Sequence, residues 1–342
     1  MKPSLLRHLV CPECRSALDL RDAVAETQDG VPSDEVMEGT LACTKCSAAF
    51  VVSGGVPRMH VVATPDATRS RTGASFGYLW AKSVPGDEPY DPTSYHFAKM
   101  EAALSLAPPA GLVLDAGCGD GIDLANQALK EGVEAVGVEL SDGGSGTSYA
   151  RTRRLPRAHV VQADLCRLPF ADGTFDFSYS YGVLHHLGTP ERGLNEVVRV
   201  SKPGARVVAY LYEDFSERSA ALRWSLRAAN TLRGFTTRLP NRLLFNLCRL
   251  ASPFVFAVFT LPAQVGRRVP ALAPLARSLP FRHGTGPFSL VGDLYDRFSA
   301  PVEFRYSRQT SANFFAKAGL HGVRVADDRG WMVAGTKPCS GE

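Results

Sequence analysis

The sequence predicts an α/β protein: a doubly wound, seven-stranded sheet with a small cysteine-stapled unit in front and a helical insertion near its end. Three observations predict it. Short apolar runs alternate with helical stretches from about residue 111 onward, the pattern of a parallel sheet covered by helices. Two Cys-x-x-Cys pairs, Cys11/Cys14 and Cys43/Cys46, stand before residue 50. Between Arg218 and Gly292 there are eleven arginines and no Asp, Glu or Lys. A chain of 342 residues is long enough for two or three domains, and its 45% hydrophobic and 21% charged shares are ordinary for a soluble protein.

Residues 1–60 form the first unit. Leu5 to Cys14 reads as a strand entering a knuckle, and Asp19 to Thr40 as a polar, acidic stretch. Leu41 to Cys46 makes the second knuckle, Ala49 to Val52 a returning strand, and Val56 to Met59 closes the unit. A segment this small needs a staple. Cys11, Cys14, Cys43 and Cys46 fit a ribbon whose two knuckles supply four thiolates to a tetrahedral zinc ion, with Pro12 suited to the tight turn. Four thiolates leave no open position for water, so the expected Zn2+ is structural. Two redox pairs or unpaired thiols are the alternative. The first ten residues lack the apolar core and cleavage site of a signal peptide, which points to a cytoplasmic, reducing compartment.

Residues 61–110 read as a polar linker and a lead-in helix carrying Phe76, Tyr78, Trp80, Tyr90 and Tyr95. The main unit, 111–212, follows. Its strands are Leu112–Asp115, Ala135–Glu139, Ala158–Val161, Thr174–Tyr181 and Ala205–Leu211, with helices at Asp123–Glu131 and, opened by Pro190, at Pro190–Val200. Residues 213–304 form the helical, arginine-rich insertion. Residues 305–337 complete the unit with a helix at Ser307–Ala318, Gly319 as its cap, and strands at His321–Ala326 and Trp331–Gly335.

The chemistry concentrates at the strand ends. Asp115-Ala116-Gly117-Cys118-Gly119-Asp120-Gly121 is a strand running into glycines, where backbone can approach a ligand closely. Glu139 ends the next strand, placed to accept from ribose hydroxyls, and Asp164 follows the third, placed to accept from an adenine amine. An ordinary strand-to-helix turn is the plain alternative. A nicotinamide dinucleotide is the rival ligand, although the loop is GxGxG and not GxGxxG.

These pieces, with Gln162-Ala163-Asp164, the run Leu168 to Asp176, Gly182-Val183-Leu184-His185-His186-Leu187 and Lys202-Pro203-Gly204-Ala205, resemble the class I S-adenosylmethionine-dependent methyltransferases of type 11, over about 95–212 and again over 305–337. The resemblance implies a Rossmann-like fold and S-adenosyl-L-methionine as cofactor. Asp115, Gly117, Cys118 and Gly119 would line its methionine part, with Cys118 as a packing residue. Glu139 would hold the ribose, with Leu140 beside it among the cofactor-binding residues, and Asp164, with the backbone at Leu165, the adenine. Tyr181 would border the methyl-transfer site. His185 and His186 are the candidates for a base, or for rings that only orient the loop. One departure is the glycine-rich Ser141 to Gly146, expected as a loop where the family starts a helix.

The acceptor is expected to be a small or lipid-like metabolite, methylated on O, N or C. A ribbon before such a domain also resembles a group that includes ribosomal RNA guanine methyltransferases, so an RNA methyltransferase gripping RNA through the ribbon is the second reading. A non-catalytic scaffold that binds the cofactor is the third. The insertion reads as a substrate lid or as a membrane-surface contact through 218–292, which would make a cytoplasmic protein peripheral to the membrane. Arg249 and Pro253 interrupt its apolar run and argue against a spanning helix, and RNA ranks below both. The oligomeric state is left open.

Overall fold

The computed structural model describes residues 1–25, 34–60, 67–82, 95–273, 276, 279–282 and 284–339. It divides into two compact units, Met1–Ser219 with Val302–Glu342, and Ala220–Pro301. Tyr90 and parts of the expected acidic stretch and linker lie outside the described residues.

The first unit holds two sheets. The small one is antiparallel: β1 (Leu18–Ala25), β2 (Val36–Cys43), β3 (Ala49–Ser53) and β4 (Val56–Pro57), paired in chain order. Two expectations are corrected here. Pro3–His8 is a 3-10 turn and not a strand, because Pro3 at its first position pre-sets the turn and supplies no N–H. The stretch read as merely polar supplies β1 and β2, a half-exposed hairpin in which polar residues face water.

The large sheet comprises β5 (Gly111–Ala116), β6 (Val133–Glu139), β7 (Ala158–Gln162), β8 (Phe175–Tyr181), β9 (Ser201–Leu211), β10 (His321–Asp327) and β11 (Trp331–Thr336). Their order is β10-β11-β9-β8-β5-β6-β7. The pairs among β5 to β9 are parallel, while β11 runs antiparallel to both β9 and β10. Residues 112–116, 135–139 and 158–162 are buried without a break, as strands covered on both faces must be. The chain builds outward from β5 through β6 to β7, then restarts at β8. The β5/β8 pair is therefore the switch point, and the crevice lies at its carboxyl end.

Helices α1 (Ala67–Trp80), α2 (His96–Leu104), α3 (Ile122–Ala128), α4 (Asp142–Thr152) and α5 (Pro190–Val200) belong to this unit. The glycine-rich Ser141–Gly146 opens α4 and is not a loop. Ser141 caps the helix, its Oγ accepting from the Gly144 N–H at 3.1 Å. The glycines serve packing: a Cβ on Gly143 would collide with the Gly77 carbonyl of α1, and one on Gly144 would sit 2.7 Å from Glu139.

The small sheet is seated on the large one. The Val10 N–H donates to the Pro169 carbonyl (2.9 Å) and the Met59 N–H to the Gln162 carbonyl (2.7 Å), on the outer edge of β7. One apolar cluster runs from Leu5, Leu41 and Phe50 into Val161, Phe170 and Phe175.

The second unit is helical, with α6 (Ala220–Thr236), α7 (Asn241–Val255), α8 (Leu261–Gly266) and α9 (Val291–Ser299). A π-turn at Phe256–Thr260 joins α7 to α8. The helical path therefore passes through Pro253, which has no N–H to return to the Arg249 carbonyl. This corrects the expectation of an interrupted run: Asn241–Gly266 is long and apolar enough, by length and composition, to cross a membrane. In the first unit, α10 (Arg308–Lys317) precedes β10 and is opened by a capping box at Ser307 and Thr310.

Candidate active site and cysteine cluster

Nine residues expected to contact a cofactor converge on the carboxyl ends of β5 to β8. Gly117 (φ +98°), Gly119 (+54°) and Gly121 (+81°) take the left-handed conformations open to glycine. Cys118 packs into the notch at Gly137 and its Sγ lies 3.5 Å from the Ser148 hydroxyl. Asp115 is buried and accepts from the Tyr179 hydroxyl at 2.7 Å. Glu139 is also buried. Its Oε1 accepts from the Ser141 N–H (2.9 Å) and hydroxyl (2.7 Å), and its Oε2 faces the Gly119 N–H at 3.3 Å. Leu140 is fixed through its carbonyl by Gln162 Nε2 at 2.9 Å. Asp164 Oδ1 accepts from the Cys166 N–H at 2.9 Å, beside the buried Leu165.

The electrostatics of this end are unusual. Burial, then the neighbouring Asp123, pushes the Asp115 carboxyl well above the usual range. Burial likewise raises Glu139, against the pull of its hydrogen bonds. Asp120 pairs with Arg151 at 3.2 Å and Asp123 with His96 at 3.0 Å. Among the described residues, no lysine or arginine pairs with Asp115 or Glu139.

Helix α1 lies along this rim. Arg69 pairs with Asp164 Oδ2 at 2.9 Å. Gly73 faces Leu140, Gly77 faces Ser141, and the Trp80 indole lies against Gly119. The Trp80 carbonyl accepts from Thr147 Oγ1 at 3.2 Å. Arg69 and Trp80 thus touch the residues expected to meet adenine and methionine. Sequence reasoning placed a helix and its aromatics there but had no means of placing it on the glycine loop.

The end of β8 carries an aromatic stack. Tyr181 lies between the rings of His96 (4.2 Å) and Tyr210 (4.6 Å), nearly parallel to both. Tyr212 packs on His185 at 3.9 Å, and Phe76 of α1 on His186 at 5.2 Å. Tyr210 and Tyr212 were missed, although their two-residue spacing at the end of β9 puts both on one face. His186 Nδ1 meets the Val302 carbonyl at 2.8 Å. His185 is wholly buried, and neither ring nitrogen has a hydrogen-bond partner among the described residues. Burial, with help from His186 and Arg305, holds its pKa well below the ordinary value. His185 is therefore neutral: suited to donating or accepting one hydrogen bond, poorly suited to holding a proton.

In the ribbon, the sulfurs of Cys11, Cys14, Cys43 and Cys46 lie within 4.8 Å of one another. The close pairs are Cys11–Cys46 (3.7 Å), Cys14–Cys43 (3.4 Å) and Cys14–Cys46 (3.6 Å). A tetrahedral ion with metal–sulfur bonds of ~2.3 Å needs sulfurs about 3.8 Å apart, so these four could hold one. The N–H groups of Lys45 and Cys46 point at Cys43 Sγ (3.4 and 3.3 Å), as donors to a thiolate would.

Residues 114–209 match the family described as a methyltransferase domain, and residues 2–55 match the Trm112p-like protein family. Over 141 residues the chain is 31% identical to 24-methylenesterol C-methyltransferase 2 of Oryza sativa subsp. japonica, covering 40% of this chain and 38% of that one. Over 103 residues it is 39% identical to demethylmenaquinone methyltransferase of Beutenbergia cavernae, covering 30% and 41%. Over 104 residues it is 35% identical to an uncharacterized 37.1 kDa protein in a transposon of Streptomyces fradiae, covering 30% of each. The chain thus spans less than half the length of these relatives. A complex of the Haloferax volcanii Trm112 methyltransferase activator with a putative methyltransferase overlaps 77% of this chain and 97% of its own, at 16% identity and a TM-score of 0.44. Residues 114–209 are a methyltransferase domain of the class I S-adenosylmethionine-dependent family, preceded by a Trm112p-like four-cysteine ribbon.

Proposed function

We propose that the chain transfers a methyl group from S-adenosyl-L-methionine to a small or lipid-like metabolite. The observation that carries this reading is the pair of buried carboxyl groups, Asp115 and Glu139, beside the glycine loop with no lysine or arginine paired to them among the described residues. S-adenosylmethionine brings a sulfonium and an ammonium to that place. A dinucleotide would bring a pyrophosphate, for which no lysine or arginine stands against Asp115 or Glu139 among the described residues. In this reading Glu139 holds the ribose, Asp164 the adenine amine, and Tyr181 with His185 positions the acceptor beside the sulfonium. The sulfonium methyl is already activated, so alignment and exclusion of water are the main tasks. The neutral His185 fits an orienting role better than that of a strong base.

The four cysteines belong to the same proposal as a structural Zn2+ site. A cytoplasmic location and a membrane-surface contact through 218–292 complete it. The relatives named for sterol and menaquinone methylation support an apolar acceptor. Incubation of the purified chain with methyl-labelled S-adenosylmethionine and cell extract tests the reading. Label should enter the organic phase; label entering RNA alone would contradict it.

A further inference from the structure

Positive charge in this chain is concentrated in one unit. Ala220–Pro301 holds eleven arginines against two aspartates and no Lys or Glu, a formal charge of +9 in a chain of net +4, so the remaining residues together carry −5. The same unit carries an uncovered apolar stripe.

The helical path Asn241–Gly266 has two apolar faces, and the unit covers one. On the inner face Leu244, Cys248, Ser252, Thr260 and Ala263 are buried. Phe245 meets Tyr295 of α9 at 5.6 Å, and Ser252 Oγ donates to the Pro287 carbonyl at 2.7 Å. On the outer face Leu243, Leu247, Leu250, Phe254, Val258, Leu261 and Val265 recur every three or four residues, each 42–77% exposed. At 1.5 Å per residue the stripe is about 33 Å long. Soluble monomers rarely leave so large an apolar patch in water. Arg242 stands at its start, Arg249 at its middle over the Phe288 ring (6.0 Å), and Arg267 and Arg268 at its end.

We propose that this outer face docks on an anionic lipid bilayer, with the helix lying in the plane of the membrane surface. The stripe enters the boundary between headgroups and acyl chains, and the arginines meet lipid phosphates. Length alone would let the helix span. Its inner face, however, is packed on the unit and tied by Ser252 and Thr260 to the Pro287 and Phe281 carbonyls, so only half of its surface is available to hydrocarbon. RNA would use the arginines but gain nothing from an unbroken Leu/Val/Phe stripe. The proposal deepens the membrane contact stated above and is independent of methyl transfer.

Sedimentation of the full chain with phosphatidylcholine vesicles, with and without phosphatidylglycerol, tests it. Binding should be more than about tenfold stronger with the anionic lipid, at roughly 1 kcal/mol per arginine at the surface, and should weaken with salt. Leu250→Glu with Phe254→Glu, both on exposed positions, should abolish binding while leaving circular dichroism and S-adenosylmethionine affinity unchanged. Arg267→Glu with Arg268→Glu should remove the preference for anionic lipid. No binding of the unaltered chain would overturn the membrane contact itself. Binding retained by the Leu250/Phe254 variant would overturn the assignment of this face. Binding to RNA but not to vesicles, or a dimer that the same variant dissociates without any vesicle binding, would overturn both.

Discussion

The Arg69–Asp164 ion pair places a measurable obstacle at the proposed adenine site. The guanidinium sits 2.9 Å from Asp164 Oδ2, with side-chain exposures of 32% and 15%. At an effective dielectric of about 20, the gross attraction at this range is ~4 kcal/mol. Desolvation and the ordering of the long arginine chain remove most of it, leaving about 1 kcal/mol for a partly exposed pair. An adenine amine seeking the same oxygen must displace the guanidinium. Arg69→Met keeps the apolar stem against α1's neighbours and removes the competitor. S-adenosylmethionine affinity should then rise about fivefold, the equivalent of ~1 kcal/mol. Isothermal titration of both chains under identical salt measures it. Unchanged or weaker binding in Arg69→Met would refute the competition and put Arg69 in the bound complex instead.

Three further predictions follow from the same geometry. Glu139→Gln keeps the shape but not the charge. It should weaken S-adenosylmethionine binding by about 5- to 30-fold, ~1–2 kcal/mol, in the same titration. Burial raises the Asp115 and Glu139 carboxyls. A cationic ligand lowers them again, so binding should release protons, and affinity should fall as pH drops through their raised values. Titrations in buffers of different ionisation enthalpy read this release, and proton uptake would have the wrong sign. Metal analysis should find about one zinc per chain. Cys43→Ser should lower the melting temperature of the whole first unit in one transition, because one apolar cluster joins ribbon and sheet; a separate ribbon transition would contradict that continuity.

The strands that build the site are legible because parallel strands buried on both faces read as short, mostly apolar runs: Leu112 to Leu114, Ala135 to Val138, and Val160 with Val161. Glu139 and Asp164 follow from their places at the ends of such runs. Ser141–Gly146 was read as a loop because each glycine costs helix propensity. What outweighs this is the close approach of α1 through Gly77, and that contact is long-range information. Pro253 reads as a break for the same local reason, yet the helical path runs on through it to Gly266. The hairpin of β1 and β2 escaped notice because it is half-exposed and buries few apolar side chains to set a rhythm. Arg69, His96 and Tyr212 gave no sequence signal of their own. They matter through what the fold brings beside them: Asp164, Tyr181 and His185.

The central claim is that a cationic adenosyl ligand binds beside the glycine loop and Glu139. Parallel calorimetric titrations of the full chain with S-adenosylmethionine and with a nicotinamide dinucleotide test it most directly. The account predicts saturable binding of S-adenosylmethionine, about one per chain, and none of the dinucleotide. Saturable dinucleotide binding with no heat from S-adenosylmethionine would contradict it.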